Sequence, residues 1–560
     1  MNIRLFKQVN NEIIIILLIF FLFAFIRIYK LTTVPHGFHR DEAYTGYNAF
    51  SILKTGKDEW GKRFPIFSRS FGDYPPALIL YFTAPFVFLF GLNEFGVRIS
   101  TVVFSVINFC LIGFILKKLK FDKKLIMIIL GLIAISPWEI TQVRGANGDL
   151  ILGISFFLLG VYFLINLWQN RSLKNLMPFF ICWLLTYFSY NSFRIQIPLL
   201  IIGFIPLVLL NNNLKNKKII LFIFLFLLII PFLFTYFFPE SNIRGKQVLF
   251  IYDASIAKSL ETLALRAGLM KSPFILIRMF HNKFSYLLFS FIKNSIKFFS
   301  LEFLYLMEAI PRRYSVSENG LFLYVTAPLL LLGLVFFGQG KIKLSYKLFF
   351  LYFIFISFFP SIITTDDFPN SKRCFLAFYP LIFLIGLGFY KIYQKIFFRR
   401  ISLILYSLLL GLNFFYFWYF YEFHSPFLTA HSRNYFYKQI AQVAKGNINN
   451  YDRIKIYTFS EAPHILILFF TQYDPVKYHS YTKSGINLDL FANKVEWGFD
   501  KYFFTPEECP NPKKNELVFA DVSKCNLLTE KVKANEWEIK GYIFSPYGSR
   551  EFVYYQLKSI

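Results

Sequence analysis

Asp41 and Glu42 stand side by side in His39-Arg40-Asp41-Glu42-Ala43-Tyr44, shortly after the first long apolar run at 13–28. Two adjacent carboxylates next to a membrane segment suggest acid–base chemistry. A carboxylate facing an aromatic, partly dry cleft can be tuned as a general base. The stretch reads as a loop, so both side chains can turn toward one cavity; on a regular strand they would point opposite ways. The plainer alternatives are that both face water or lipid headgroups, or that one pairs with Arg40. Other pointed polar groups fall at the ends of apolar runs: Arg144 and Asp149, then Tyr190, Asn191 and Arg194, then Asp366, Asp367, Lys372 and Arg373. An arginine offers a planar donor fork that suits phosphate, whereas the alternative for each is snorkelling to headgroups. His39 is either an acceptor contact or structural. His281 and Glu302 line a cleft or are solvated at the interface. Glu461 and His464, three apart, can share a helix face and read as surface residues.

The elements that must position these groups are built for lipid. Of 560 residues, 56% are hydrophobic, 21% aromatic and only 17% charged, with 76 phenylalanines. Soluble domains carry roughly 25% charge. Runs such as 13–28, 219–238 and 401–420 are long enough as helices to cross a hydrocarbon core of roughly 30 Å. The chain is a polytopic membrane protein. Its net charge of +27 is not a nucleic-acid footprint, because the excess sits in short clusters between apolar runs: Lys117/Lys118/Lys120/Lys123/Lys124, Lys215/Lys217/Lys218, Lys341/Lys343/Lys347 and Lys391/Lys395/Arg399/Arg400. Such clusters mark cytoplasmic ends.

Threading follows from that bias. Arg4 and Lys7 place the N-terminus inside, and the first helix leaves Asp41-Glu42 outside. The apolar stretch 76–92 either spans or lies in the interface. Only the second keeps every basic cluster inside, and Pro75-Pro76 and Pro85 suit a broken or interfacial helix. About 11 spanning helices result: 13–28, 97–116, 125–140, 149–168, 176–189, 195–210, 219–238, 321–338, 348–363, 374–390 and 401–420. The first outer loop, 32–96, holds the juxtamembrane helices; within a long outer segment, 239–320, the apolar stretch 284–310, interrupted by Lys293, Asn294 and Lys297, fits an amphipathic helix pair at the interface.

Residues 421–560 change character. Strand-like runs at 453–459, 517–522 and 536–544 and a helical stretch near 435–445 predict a small extracytoplasmic α/β domain. Cys509 and Cys525 lie there; they form either a disulfide, contributing about 3 kcal/mol in the chain-entropy model, or two free thiols. Cys110, Cys182 and Cys374 read as small residues of apolar helices. No His/Cys/Asp cluster has metal-ligand spacing.

The run from Pro35 through Ala49, with Arg40-Asp41-Glu42-Ala43-Tyr44 at its centre, resembles the first external loop of bacterial GT-C glycosyltransferases. The nearest branch is protein O-mannosyltransferase-like, itself similar to the lipid A aminoarabinose transferases. The likeness continues through Thr55-Gly56-Lys57-Asp58-Glu59-Trp60-Gly61, Phe71-Gly72-Asp73-Tyr74-Pro75-Pro76, Phe90–Arg98, Ser136-Pro137-Trp138, Arg144-Gly145-Ala146 and Tyr190–Arg194. It is specific over 35–200, looser to 420 and only general beyond.

The resemblance implies a GT-C transmembrane module, 1–420, that transfers a sugar from a polyprenyl-phosphate donor to a protein, lipid or glycan hydroxyl at the outer face of the plasma membrane. Asp41 carries over as the base and Glu42 as the residue that positions the acceptor or Asp41. The lipid phosphate falls to Arg144, Arg194, Arg373 and Arg69. Tyr44, Asp73, Tyr74, Asp149, Tyr190 and Asn191, with His39, are cleft or acceptor candidates. No cofactor is expected, although related oligosaccharyltransferases use a divalent metal. Related chains often place a lysine before the paired prolines; here Tyr74 takes that position. A transporter or flippase of lipid-linked sugars is the rival reading, and it would need charges or broken helices near the midplane. A non-catalytic assembly factor is a second rival.

Overall fold

The computed structural model describes residues 2–170, 172–211, 217–395, 399–458, 462–483 and 496–558. In chain order the first helices are α1 (Asn2–Ile28), α2 (Arg40–Thr55), α3 (Leu78–Phe90), α4 (Glu94–Lys118), α5 (Lys123–Ala134), α6 (Pro137–Arg144), α7 (Gly148–Asn170), α8 (Leu176–Tyr187), α9 (Phe193–Leu210) and α10 (Lys217–Phe237). They are followed by α11 (Ile243–Val248), α12 (Ser255–Leu269), α13 (Phe274–Phe280), α14 (Lys283–Phe298), α15 (Ala327–Gln339), α16 (Leu344–Ile362), α17 (Phe378–Lys395) and α18 (Arg399–Tyr419). Among the described residues, 8 helices are long and apolar enough to cross a membrane, or up to 9 if a bent pair counts as one span. The chain is a multi-pass membrane protein.

Each segment expected to span is helical, but three differ from simple rods. α8 has 12 residues and α15 has 13. The segment expected at 125–140 is α5 and α6, bent by 52°. The break falls at Ile135-Ser136-Pro137, where a proline disfavours helical geometry in the residue before it. α3, expected to lie in the interface, has 13 residues; at 1.5 Å per residue it spans roughly 20 Å, short of the hydrocarbon core. In the stretch 284–310, expected as an amphipathic helix pair, the structure forms a single α-helix, α14, followed by a short π-helical turn at Glu302–Leu306; α11, α12 and α13 precede it within 239–320.

The chain forms two compact units interleaved in sequence: Met1–Ile26, Val106–Gln142 and Gly153–Trp418 in one, Arg27–Ser105, Val143–Leu152 and Tyr419–Ile560 in the other. In the first, α15 and α17 pack backbone to backbone. A Cβ added to Gly333 would lie 2.0 Å from the Leu384 carbonyl oxygen, and one on Gly388 2.1 Å from that of Leu329. Small residues are how helices approach closely where lipid supplies no hydrophobic drive. Trp138, fully buried, fastens α6 to two loops: its backbone N–H donates to the Leu321 carbonyl at 2.9 Å and its indole N–H to the Ser371 carbonyl at 3.1 Å.

The second unit contains α2, α3 and the C-terminal domain, which adds α19 (Ser425–Thr429), α20 (Phe436–Gly446), α21 (Pro463–Thr471), α22 (Pro475–Lys483) and α23 (Leu528–Lys533). Its sheet comprises β1 (Arg453–Tyr457), β2 (Trp497–Phe499), β3 (Tyr502–Thr505), β4 (Glu516–Asp521), β5 (Trp537–Phe544) and β6 (Arg550–Leu557), in the order β2-β3-β1-β4-β6-β5. The central three strands are parallel and the flanking pairs antiparallel. The three expected strands are β1, β4 and β5, and the expected helix is α20. β2 and β3 are only three and four residues long. β6 runs Phe552-Val553-Tyr554-Tyr555 without polar alternation, so period-2 reading passes it by. Cys509 and Cys525 are joined as a disulfide, beside a core of Val518, Ala520, Leu528, Trp537, Val553 and Tyr555.

Candidate active site

Asp41 and Glu42 do not lie in a loop. They occupy the first turn of α2, a 16-residue helix, where acidic side chains suit the positive end of the helix dipole. His39 is the N-cap: its Nδ1 accepts the Asp41 backbone N–H at 3.1 Å. Asp41 Oδ2 also lies 3.4 Å from that nitrogen. His39 is thus part of the helix cap. The helical period explains the buried face of α2, which includes Ala43, Tyr44, Tyr47, Asn48, Ser51 and Ile52.

Successive residues on a helix point about 100° apart, and here that separates the two carboxylates. The Asp41 side chain is 48% exposed. Glu42 is 1% exposed, and its carboxylate is held between two fully buried guanidiniums. Arg98 Nε on α4 donates to Glu42 Oε2 at 2.9 Å, and Arg433 Nη2 donates to Glu42 Oε1. The remaining Arg98 donors reach the carbonyls of Leu31 at 2.8 Å and Gly37 at 2.5 Å. Gly37 is required at this point: its φ is +86°, and a Cβ there would lie 2.7 Å from the Arg433 carbonyl oxygen. Four chain segments, namely 31–37, α2, α4 and the 433 turn, are thus tied through one buried carboxylate. Arg98 appeared in the sequence only inside a motif, and Arg433 gave no signal; it lies 391 residues from Glu42.

Arg144 does not present itself as a phosphate ligand. It is fully buried, and its guanidinium donates to the backbone carbonyls of Arg27 at 3.1 Å and Val34 at 2.7 Å and sits over the Tyr421 ring. It fixes the path of the chain leaving α1. Tyr44 is also buried, with its hydroxyl donating to the Ser68 carbonyl at 3.3 Å. Burial pushes its phenol well above the ordinary value, so it has no acid–base use near neutrality. Arg69 stacks over Trp60 at 4.5 Å, and the Trp60 indole donates to the Arg69 carbonyl. Asp73 closes a tight turn with Ser70 whose central residues, Phe71 and Gly72, both have positive φ, as mirror-image hairpin turns require. Asp73 Oδ1 accepts the Tyr74 N–H. The Phe71 ring lies under the Arg40 guanidinium at 5.3 Å and edge-on to Tyr44. Asp149 is half-buried in the first turn of α7.

The opposite flank of α2 and the loop after it rest on the C-terminal domain. Phe38 stacks on Phe469 at 4.5 Å, the Tyr47 hydroxyl donates to the Tyr473 carbonyl at 3.1 Å, and His479 Nε2 lies 2.7 Å from the Asp58 carbonyl oxygen. Asp58 accepts the Trp60 and Lys62 N–H groups and the Ser68 hydroxyl; burial nevertheless pushes its carboxyl up. His464, expected at the surface, is fully buried, with Nε2 3.6 Å from Glu59 Oε2. Its partner in that expectation, Glu461, lies outside the described residues.

The other candidates belong to the other unit, where they form a cationic cluster. Arg373 donates to the Thr364 hydroxyl at 2.9 Å, the Asp366 carbonyl at 2.7 Å and Asp366 Oδ2 at 2.9 Å. Arg244, not foreseen from sequence, donates to the same carboxylate oxygen at 2.6 Å. Burial works to raise the Asp366 carboxyl, but the two guanidiniums carry it below its ordinary value. Burial and the neighbouring Asp366 push Asp367 up. Lys372 lies over the Tyr190 ring at 4.7 Å, Arg194 donates to the Ser241 carbonyl at 2.9 Å, and Asn191 precedes it in the same turn. Glu302 is exposed and paired with Lys297. Among the described residues no group of three His, Cys, Asp or Glu side chains is arranged to hold a metal ion.

The Glu42 knot makes a sharp prediction. Glu42→Gln leaves two buried guanidiniums without their counter-charge and is expected to cost about 3–5 kcal/mol of stability, read as a large drop in the thermal midpoint in detergent. An unchanged midpoint would contradict the assignment.

No protein-family model matches the sequence, and no curated protein matches it. Solved structures do. ArnT from Cupriavidus metallidurans bound to undecaprenyl phosphate aligns over 98% of this chain and 98% of its own, with a TM-score of 0.53 at 10% identity. The apo structure of the same protein aligns over the same shares, with a TM-score of 0.50 at 11% identity. Similarity at this identity speaks of fold, and the fold of this chain is that of the GT-C membrane proteins.

Proposed function

We propose that this protein is a membrane glycosyltransferase that moves a sugar from a polyprenyl-phosphate donor to an acceptor hydroxyl, with Asp41 as general base. The observation that carries this reading is the division within the acidic pair: one carboxylate is locked in a buried ion knot, and the other is held half-exposed at the end of the helix so anchored. A base must reach its substrate, and Asp41 can. The acceptor hydroxyl gives its proton to Asp41 as its oxygen forms a bond to the anomeric carbon. The bond from that carbon to the phosphate oxygen breaks, and the lipid phosphate leaves with the electron pair. A single displacement of this kind inverts the anomeric centre. Glu42 acts as a positioning residue through the helix.

The leaving phosphate needs cationic stabilisation, and the half-buried Arg69 is the candidate for it within the unit that holds Asp41; Arg144, in the same unit, is fully buried and donates to the carbonyls of Arg27 and Val34. The ArnT structure was obtained with undecaprenyl phosphate, which supports a donor of that class. The acceptor is a protein, lipid or glycan hydroxyl. Charge bias over the short loops supports an extracytoplasmic site at the plasma membrane. The rival reading, a transporter for lipid-linked sugars, draws on one feature, the 52° bend between α5 and α6 beside the buried Glu139.

Two experiments test the proposal. Asp41→Asn, isosteric and half-exposed, is expected to keep the folded yield and lose transfer from a polyprenyl-phosphate-linked sugar by about 10²–10⁴-fold; wild-type turnover in that variant would remove Asp41 from the chemistry, and unaltered lipid-sugar translocation without any transfer would favour the transporter. For topology, a membrane-impermeant thiol reagent added outside intact cells should label Asp41→Cys and leave Lys118→Cys untouched. The reverse pattern would invert the threading.

A further inference from the structure

The end of the last membrane span runs into an aromatic surface that the proposed chemistry does not use. An 18-residue stretch of the candidate span Leu403–Thr429 is only 6% buried, while Tyr421, Ser425 and Thr429 near its end turn inward. Its final turns carry Phe423 and Phe427, 58% and 61% exposed. Tyr547, at the tip of the β5–β6 hairpin, stacks face-on against Phe427, with ring centroids 4.4 Å apart and planes within 10°. Tyr547 remains 42% exposed and Phe544, one strand-end away, 43%.

The tip is rigid. The Ser545 N–H donates to the Ser549 carbonyl at 2.9 Å and the Gly548 N–H to the Ser545 carbonyl at 3.1 Å, with Gly548 at φ +87°. The Ser545 and Ser549 hydroxyls lie 2.7 Å apart. Gln439 on α20 grips the hairpin from the side: its amide nitrogen donates to the Phe544 carbonyl at 2.8 Å, and its amide oxygen accepts the Phe544 N–H at 3.3 Å. Arg550, exposed, follows directly and lies over Tyr542 at 4.4 Å.

We propose that the β5–β6 hairpin tip is a bilayer-interface anchor: Tyr547 and Phe544 enter the headgroup layer beside Phe423 and Phe427, and Arg550 meets lipid phosphate. The occupant is lipid because the patch is continuous with a lipid-facing span through the Phe427–Tyr547 stack. A tyrosine with an adjacent arginine is also the composition found where a chain meets headgroups. The anchor fixes the height and tilt of the C-terminal domain, and with it the α2 helix that rests on α21 and α22.

The test is a depth measurement on the full chain in phosphatidylcholine–phosphatidylglycerol vesicles. Tyr547→Cys is made in a Cys110→Ala background, where Cys182 and Cys374 are buried and Cys509–Cys525 is paired, and is labelled with an environment-sensitive fluorophore. The control is Lys514→Cys. Lys514 precedes β4 at the opposite end of the sheet, where Leu517 pairs with Gln556, roughly 25 Å away along eight-residue strands at about 3.3 Å per residue. The expected result is blue-shifted emission at position 547, quenched several-fold more by headgroup-proximal nitroxide lipids than at position 514. Ser549→Cys, also at the tip, should follow position 547 and guards against a local folding defect. Water-like emission at both tip positions would overturn the anchor. So would blue-shifted emission that lipid nitroxides do not quench, since that would mean a protein partner covers the patch.

Discussion

One buried carboxylate organises the polar end of this membrane protein. Glu42 sits between Arg98 and Arg433, two guanidiniums against one carboxylate, all out of water. Buried charges are tolerated only when paired and hydrogen-bonded, so each partner has little freedom. Arg98 spends its other donors on the carbonyls of Leu31 and Gly37, which fixes the chain between α1 and α2. Arg433 brings the start of the C-terminal domain to the same point. Arg144 does parallel work a few residues upstream, on the carbonyls of Arg27 and Val34.

The exposure of Asp41 follows from that knot. With Glu42 turned inward, the helix places its predecessor toward solvent, capped by His39. The far face of α2 is closed by Phe469, Tyr473 and the loop that His479 holds, so the helix has one open side. The proposed chemistry asks only that a single carboxylate stay reachable at a fixed place. The cationic cluster around Asp366 has a different character. Arg244 and Arg373 share the Asp366 carboxylate and hold it below its ordinary value.

Much of this was legible in the sequence. Hydropathy and lysine clusters reveal a multi-pass protein, and β1, β4, β5 and α20 are where alternation and amphipathic period put them. The position of the acidic pair was visible; its division of labour was not. Reading 39–44 as a loop hides the split, although buried Tyr44, Tyr47, Asn48 and Ser51 repeat at helical spacing behind an N-cap. Arg144 looked like a phosphate ligand because a charge at a helix end is ambiguous until its carbonyl partners are seen. Arg433 and His464 were beyond reach, since pairings across hundreds of residues leave no local pattern. The bend before Pro137 was marked by Ser136-Pro137, a signal overridden by unbroken hydrophobicity.

The most direct measurement of the central claim is a double-mutant cycle on Glu42→Leu and Arg433→Met, with thermal or denaturant stability of the purified full chain as the readout. If the two charges hold each other in the knot, each single change is strongly destabilising, and the pair together costs less than the sum, with a coupling of about 2–3 kcal/mol. Additive effects, with coupling near zero, would mean that Glu42 and Arg433 are merely neighbours and that the Asp41 helix is held by something else.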